Sequence, residues 1–204
     1  WNRANAAFGD LSKGCPEVPA EQEIFFLLGL SSGLQALMHD RAAGGAAGIS
    51  MSIPPIVARS VKCLDAKRWW GVPQALAAAV WLTVPGALPK GQDAAKSLNE
   101  AVAMGDKAGV RLARALQVMA LSGAGKTAEA KAAIIAHAKV ARAKPAAKEW
   151  RLLDAYGLVM TRQAADLIWT RETGHRAPTS DFGSFPEVVK PDPGDDEMLE
   201  GLGE

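Results

Sequence analysis

The stretch EQEIFFLLGLSSGLQALMHD, residues 21–40, constrains the fold more than any other part of the chain. Its acidic start suits the N-terminus of a helix, where the helix dipole favours negative charge. The apolar residues that follow cover almost every face of the predicted helix. A helix with so little polar surface is normally covered by neighbours on several sides. We therefore expect a central helix that other helices surround.

The rest of the chain also favours helices over strands. Alanine is abundant, aromatic residues make up 6% of the chain, and runs of β-branched residues are short. Apolar residues recur at helical spacing in several segments, which prolines or glycines separate. The predicted helices cover residues 21–40, 53–66, 68–85, 94–105, 107–122, 126–142 and 148–170. About eight helices joined by short turns would form an antiparallel, all-α bundle.

The apolar stretch 72–88, the composition after residue 174 and the net charge limit the possible class of protein. The most apolar stretch, residues 72–88, contains Gln74 and Pro85 and falls short of the ~20 apolar residues that a membrane span needs. From residue 174, proline, glycine and acidic residues replace alanine, and the helical periodicity disappears. We expect a helical ligand- or partner-binding domain over 1–173 and an irregular acidic tail over 174–204, which Phe182 and Phe185 would anchor. The net charge of +1 argues against a nucleic-acid partner.

The stretch ALSGAGKTAEA, residues 120–130, has the ending of a phosphate-binding loop, Gly125-Lys126-Thr127. The complete motif is G-x-x-x-x-G-K-[ST], and position 120 is alanine where the first glycine belongs. Such a loop also follows a buried strand, whereas the preceding residues have helical spacing and carry Arg111 and Arg114, which we expect to face away from the apolar side. We interpret this stretch as a turn between two helices.

The two cysteines leave two interpretations open. Paired, Cys15 and Cys63 would form a disulfide that stabilises the fold by roughly 4 kcal/mol and requires an oxidising compartment. Unpaired, they would be two separate buried thiols. No histidine lies near either cysteine in sequence, which argues against a metal site. We expect no cofactor.

The turn at Gly125 and the helix after it resemble a tetratricopeptide repeat. Ala130 and Ile134 follow Gly125 at the steps of that motif, and Ala94, Leu98 and Ala101 repeat the pattern. Ala130 lies 36 positions after Ala94, close to the ~34 residues of this repeat class. The order of the apolar helix, the proline-bounded helices and this repeat-like pair resembles the T-component lipoproteins of tripartite ATP-independent periplasmic transporters. The chain also resembles a periplasmic helical component of a bacterial sterol transport system.

This resemblance implies a non-enzymatic periplasmic protein, with an outer-membrane lipid anchor outside the given sequence. It would bind and transfer an apolar small molecule, such as a sterol or a similar lipid, as part of a transport system. The alternative is a tetratricopeptide-like scaffold that binds a periplasmic solute-binding protein or another transporter component. The resemblance implies no catalytic residues.

Aromatic residues, methionines and apolar helix positions supply the candidate ligand-binding residues. They are Phe25, Phe26, Leu30, Leu34, Met51, Trp70, Trp81, Met119 and Tyr156. A hydroxyl on the ligand would need a polar partner, for which Gln35, Ser31 and Tyr156 are candidates.

The remaining polar candidates have simpler interpretations. The three histidines, His39, His137 and His175, are far apart in sequence, and we expect surface or helix-capping positions for them. Basic residues dominate 126–151, whereas acidic residues dominate the end of the tail. A solvated helix face and a solubilising tail explain this pattern, and docking of the tail on the basic helix is the alternative.

Overall fold

A computed structural model describes residues 1–11 and 13–186, and within them the chain is all-helical, without a β-strand. The eight α-helices of this part are α1 Asn2–Phe8, α2 Glu23–Ala42, α3 Ile53–Ser60, α4 Val72–Thr83, α5 Ala94–Ala108, α6 Leu112–Gly123, α7 Thr127–Ala143 and α8 Arg151–Thr173. Short 3-10 turns at Val61–Cys63 and Lys148–Trp150 follow α3 and precede α8. The predicted all-α bundle is confirmed. No helix in the described residues combines the length and apolar character needed to cross a bilayer.

The helices form a stack of hairpins. The pairs α2/α3, α4/α5 and α6/α7 are successive hairpins, and α8 follows the third one. The first helices of neighbouring hairpins also pack on one another, because α4 contacts α6 and α6 contacts α8. We call α2, α4, α6 and α8 the inner row. Stacked hairpins of this kind bury a continuous core between neighbouring units.

The central position predicted for α2 agrees with its burial. Eight of its residues are buried, among them Phe26, Leu30 and Leu34. The short helix α1, which the sequence patterns did not predict, crosses α2 at Gly29 and Gly33. A Cβ atom at these glycines would lie 2.5 Å from Ala4 Cβ and 2.3 Å from a ring carbon of Trp1. Only glycine therefore allows this close crossing.

Cys15 and Cys63 form a disulfide, with their Cα atoms 5.5 Å apart. The bond joins the segment before α2 to the 3-10 turn after α3. Of the two interpretations that the sequence allowed, the structure has the paired one.

Two predicted helix starts are wrong because left-handed backbone intervenes. The helix predicted from residue 68 begins at Val72, since Trp70 and Gly71 have φ angles of 51° and 79°. The helix predicted from residue 107 begins at Leu112, since Gly109, with φ 75°, ends α5. The helix predicted to continue to residue 66 ends at Ser60 and passes into the 3-10 turn.

The stretch that resembles a phosphate loop is a turn between two helices, as predicted. It joins α6 to α7, so a helix and not a strand precedes it. Gly125 has φ 73°, and the ammonium group of Lys126 pairs with Glu129 at 2.9 Å.

Residues 174–186 are irregular and lie against the end of the stack. Phe182 is buried beside α7 and α8, and Phe185 stacks on Trp169, with 6.5 Å between the ring centroids. Asp181 accepts a hydrogen bond from Arg142 at 2.9 Å, which lowers the pKa of its carboxyl group. This segment therefore contacts the basic helix α7. The acidic residues at 192–204, on which the docking hypothesis depends, lie outside the described residues.

Candidate ligand-binding cleft

A cleft of about 110 Å³ opens between three helices of the inner row, α2, α6 and α8. Each helix contributes one methionine, namely Met38, Met119 and Met160. Ala42, Ala164, Leu167 and Ile168 complete its apolar lining, and Gln35, His39, Ser122, Gly123, Gln163 and Arg171 also line it. The cleft therefore gathers three of the six methionines of the chain. Methionine is flexible and polarisable, and it adapts to ligands of different shape.

Gly123 makes room for one of these methionines. A Cβ atom at this position would lie 1.7 Å from the terminal methyl carbon of Met38 and 3.6 Å from Cγ2 of Thr83. The absent side chain thus leaves a notch at the end of α6, and the Met38 methyl group fills it. We call this feature the Gly123 notch.

A second cavity, of about 280 Å³, adjoins the cleft and shares His39, Gln163 and Leu167 with it. Asp166, Thr170 and Arg176 complete its lining. The carboxylate of Asp166 pairs with Arg176 at 3.2 Å and accepts a hydrogen bond from the amide of Ala177. The two cavities together can take a ligand longer than the cleft alone can hold.

A hydrogen bond joins the two walls of the cleft. The hydroxyl group of Tyr156 on α8 donates to Oε1 of Gln35 on α2. Partial burial raises the pKa of Tyr156, so this hydroxyl remains protonated and can donate at neutral pH. Gln35 is thereby held at the edge of the apolar lining.

The structure does not place the nine predicted ligand-binding residues around one cleft. Phe26, Leu30, Leu34 and Trp70 are buried in the core, and Trp81 is partly buried against it. Phe25 and Met51 are 65% and 53% exposed and do not line the cleft. Met119 lines the cleft, and Tyr156 reaches it through Gln35.

Sequence reasoning missed several lining residues as ligand contacts, above all Met38 and Met160. On α8 a signal was present, because Met160, Ala164, Leu167 and Arg171 recur at steps of four, three and four. Such spacing predicts an amphipathic helix with one buried side. These residues line an opening because α2 lies across it, and that arrangement depends on the tertiary structure.

Two polar residues expected at the surface are buried instead. Arg111 is 4% exposed, and its guanidinium group binds Asp154 and the carbonyl oxygens of Val140 and Lys144. It closes the C-terminal end of α7, where carbonyl groups lack helical partners. His137 is fully buried, and its Nδ1 lies 2.8 Å from Thr161 Oγ1. His39 and His175 are exposed.

The His137–Thr161 pair has the elements of a base and a nucleophile but no access to substrate. Both side chains are 0% exposed, and the Thr161 hydroxyl donates its one proton to the carbonyl oxygen of Gly157. Burial, followed by the charges of Arg111 and Arg114, lowers the pKa of His137 to about 4. The imidazole is therefore neutral at physiological pH and serves the packing of α7 on α8. Within the described residues, no three His, Cys, Asp or Glu side chains are grouped to hold a metal.

A second groove, of about 410 Å³, lies between α5 and α7 above α6. Small side chains form much of its walls: Ala95 on α5 and Ala132, Ala133 and Ala136 on α7. Leu98, Val102 and Leu121 supply apolar lining, while Asn99 and Gln117 hydrogen-bond to each other at 2.9 Å. The groove is open, and most of its lining surface is apolar.

Comparisons of the chain with models of protein families, with curated proteins and with solved structures gave no match. The resemblance to periplasmic T-components thus stays a prediction.

Proposed function

We propose that this protein is a non-enzymatic binding protein, and that its methionine-lined cleft takes the end of an apolar or amphipathic small molecule. The observation that carries the proposal is the meeting of Met38, Met119 and Met160, from three helices, in one solvent-accessible opening. Met38 and Met119 are partly exposed there, and Met160 is 7% exposed. Their exposed parts, and those of the neighbouring apolar side chains, stay in water unless a ligand or partner covers them. Covering them is favourable by roughly 25 cal/mol per Å² of apolar surface.

The size of the cleft limits what enters it. A volume of about 110 Å³ is near the ~150 Å³ of a cavity that binds benzene, and below the ~300–1,000 Å³ of sites that enclose a drug-sized ligand. One ring or the end of a chain would enter the cleft. The rest of a sterol-like lipid would lie over Leu167 towards the adjoining cavity. Since most of such a ligand stays exposed, we expect affinities of about 1 μM or weaker.

The proposed setting is a transport system in the periplasm, in which the protein passes its ligand to or from a periplasmic binding protein or transporter component. The Cys15–Cys63 disulfide supports an oxidising compartment. An outer-membrane lipid anchor outside the given sequence belongs to the same proposal.

The groove between α5 and α7 favours a second candidate function, a scaffold for a partner protein. Its alanine walls allow the backbone of a partner helix to approach closely, and its leucine and valine side chains offer an apolar surface. In this alternative the protein needs no small ligand.

Methionine methyl NMR tests the first proposal at the level of individual residues. With methionine labelled at the terminal methyl carbon, titration with sterols and fatty acids in detergent-free buffer should shift Met38, Met119 and Met160. The exposed Met51 should not shift. Native mass spectrometry of the same samples should show one ligand per chain.

A matched pair of leucine variants provides the control. Leu167 lines the cleft and is 48% exposed, whereas Leu88 is 47% exposed and lies outside the cleft. Leu167→Ser should weaken lipid binding several-fold, while Leu88→Ser should leave it unchanged. Shifts with none of the lipids, together with binding of a partner protein that Ala132→Arg abolishes, would favour the scaffold. Ala132 lines the groove and is exposed, so the change leaves the core intact.

A further inference from the structure

Ser122 near the end of α6 carries a hydroxyl group beside the cleft. Its Oγ is buried, and in the described part of the structure it has no hydrogen-bond partner. By contrast, Thr83, Thr161 and Thr173 each donate to the carbonyl oxygen four residues earlier. A buried hydroxyl without a partner is uncommon in proteins and costs about 1–3 kcal/mol.

The position of Ser122 suggests that its unpaired hydroxyl group serves a ligand in the cleft. The residue lines the cleft and precedes Gly123, whose notch holds the methyl group of Met38. Ser31 and Ser60 also carry buried hydroxyl groups without a partner, but neither lines the cleft. Ser122 thus combines an unused hydrogen bond with a place beside the apolar lining.

Met38 can uncover this position. Its side chain has three rotatable bonds and no polar group, so its terminal methyl group can leave the Gly123 notch without breaking a hydrogen bond. The vacated notch lies beside Ser122 and Thr83. Movement of Met38 would therefore deepen the cleft at the residue that carries the unused hydroxyl.

We infer that Ser122 is a specificity residue, which hydrogen-bonds a hydroxyl or similar polar group on the end of the ligand that enters the cleft, and that Met38 is its movable cover. The preferred ligand class is then an apolar molecule with one hydrogen-bonding group at its buried end, such as a sterol or a long-chain alcohol. This inference rests on the proposed binding function. It adds that the entering end of the ligand is polar at its tip.

Two probes of similar size and shape, benzyl alcohol and ethylbenzene, test the role of Ser122. Their dissociation constants can be measured from the methyl shifts of Met38, Met119 and Met160 in the wild type and in Ser122→Ala. The quantity of interest is the ratio of the two constants, because it cancels effects on packing that both probes share. Loss of one neutral hydrogen bond should shift this ratio by about 2- to 10-fold in favour of ethylbenzene.

Ser60→Ala is the matched control, because it removes another unpaired buried hydroxyl away from the cleft. It should leave the ratio unchanged. A ratio that is the same in wild type and Ser122→Ala would overturn the inference but not the binding function. An equal change in Ser60→Ala would also overturn it. Failure of both probes to shift the cleft methionines in the wild type would overturn the inference and the proposed function together.

Gly123→Ala tests the movable cover. Gly123 is the last residue of α6 and does not have a positive φ angle, so alanine fits the backbone. The new Cβ atom would occupy the notch and push the Met38 methyl group into the cleft. Both probes should then bind about tenfold more weakly, a change of about 1.4 kcal/mol. The double variant Met38→Ala/Gly123→Ala should recover the affinity. Unchanged binding in Gly123→Ala would show that Met38 does not cover the site.

Discussion

The first and last hairpins of the stack are held by different chemistry. Around α2 and α3, apolar side chains such as Phe26 and Leu30 fill the interior, and the disulfide fastens the preceding segment. Around α6, α7 and α8, the buried groups include the ion pair Arg111–Asp154 and the neutral His137. Apolar packing loses stability gradually as surface is removed, whereas a buried charge depends on one partner. We expect the last hairpin to be the more sensitive region.

The largest effect should come from Asp154→Ala. This change leaves Arg111 charged and 4% exposed, with only the carbonyl groups of Val140 and Lys144 as partners. Removing one member of a buried pair costs about 3–5 kcal/mol of the free energy of unfolding, measurable by urea denaturation. Asp106→Ala is the matched control. It breaks the more exposed pair with Arg114 and should cost less. A loss below about 1 kcal/mol for Asp154→Ala would be typical of a surface ion pair and would contradict the expected sensitivity of the last hairpin.

Removal of the disulfide comes next and tests the first hairpins. Cys15→Ser/Cys63→Ser should lower the free energy of unfolding by about 2–4 kcal/mol, because the unfolded chain gains freedom. A reducing agent should lower the wild-type melting temperature to the level of this variant and leave the variant unaffected. If removal of the disulfide lowers the free energy of unfolding more than Asp154→Ala does, the first hairpin and not the last one is the more sensitive region.

Acid should weaken the last hairpin through His137. Its pKa is about 4 in the folded protein against 6.5 for the free side chain, so the unfolded state binds the proton more readily. Stability is therefore lost as pH falls below 6.5, by about 2 kcal/mol between pH 8 and pH 5. His137→Gln should lack this part of the pH dependence, which urea denaturation at several pH values would reveal. A parallel pH profile in both proteins would contradict the assignment.

The same contrast explains what the sequence predicts well and what it does not. The apolar character of α2 and the spacing on α7 and α8 predict helices and their buried sides, because local periodicity records burial. Arg111 and His137 were expected outside, since a polar residue carries no local sign of a partner on another helix. Asp154 lies 43 positions after Arg111. The cleft was likewise missed, because Met38, Met119 and Met160 meet only when α2 crosses α6 and α8.

The smallest effect concerns the connection between the two regions. Tyr156→Phe removes the hydrogen bond from α8 to Gln35 on α2, across 121 positions of sequence. Because Tyr156 is only partly buried, water can replace the lost partner, and the free energy of unfolding should fall by about 1 kcal/mol or less. Gln35 lines the cleft, so the methyl resonances of Met38 and Met160 should shift even without ligand. Gln117→Ala, which breaks an exposed bond between α5 and α6, should leave these resonances in place. If Tyr156→Phe costs more than removal of the disulfide, the contact between α2 and α8 limits stability, and the two regions act as one unit.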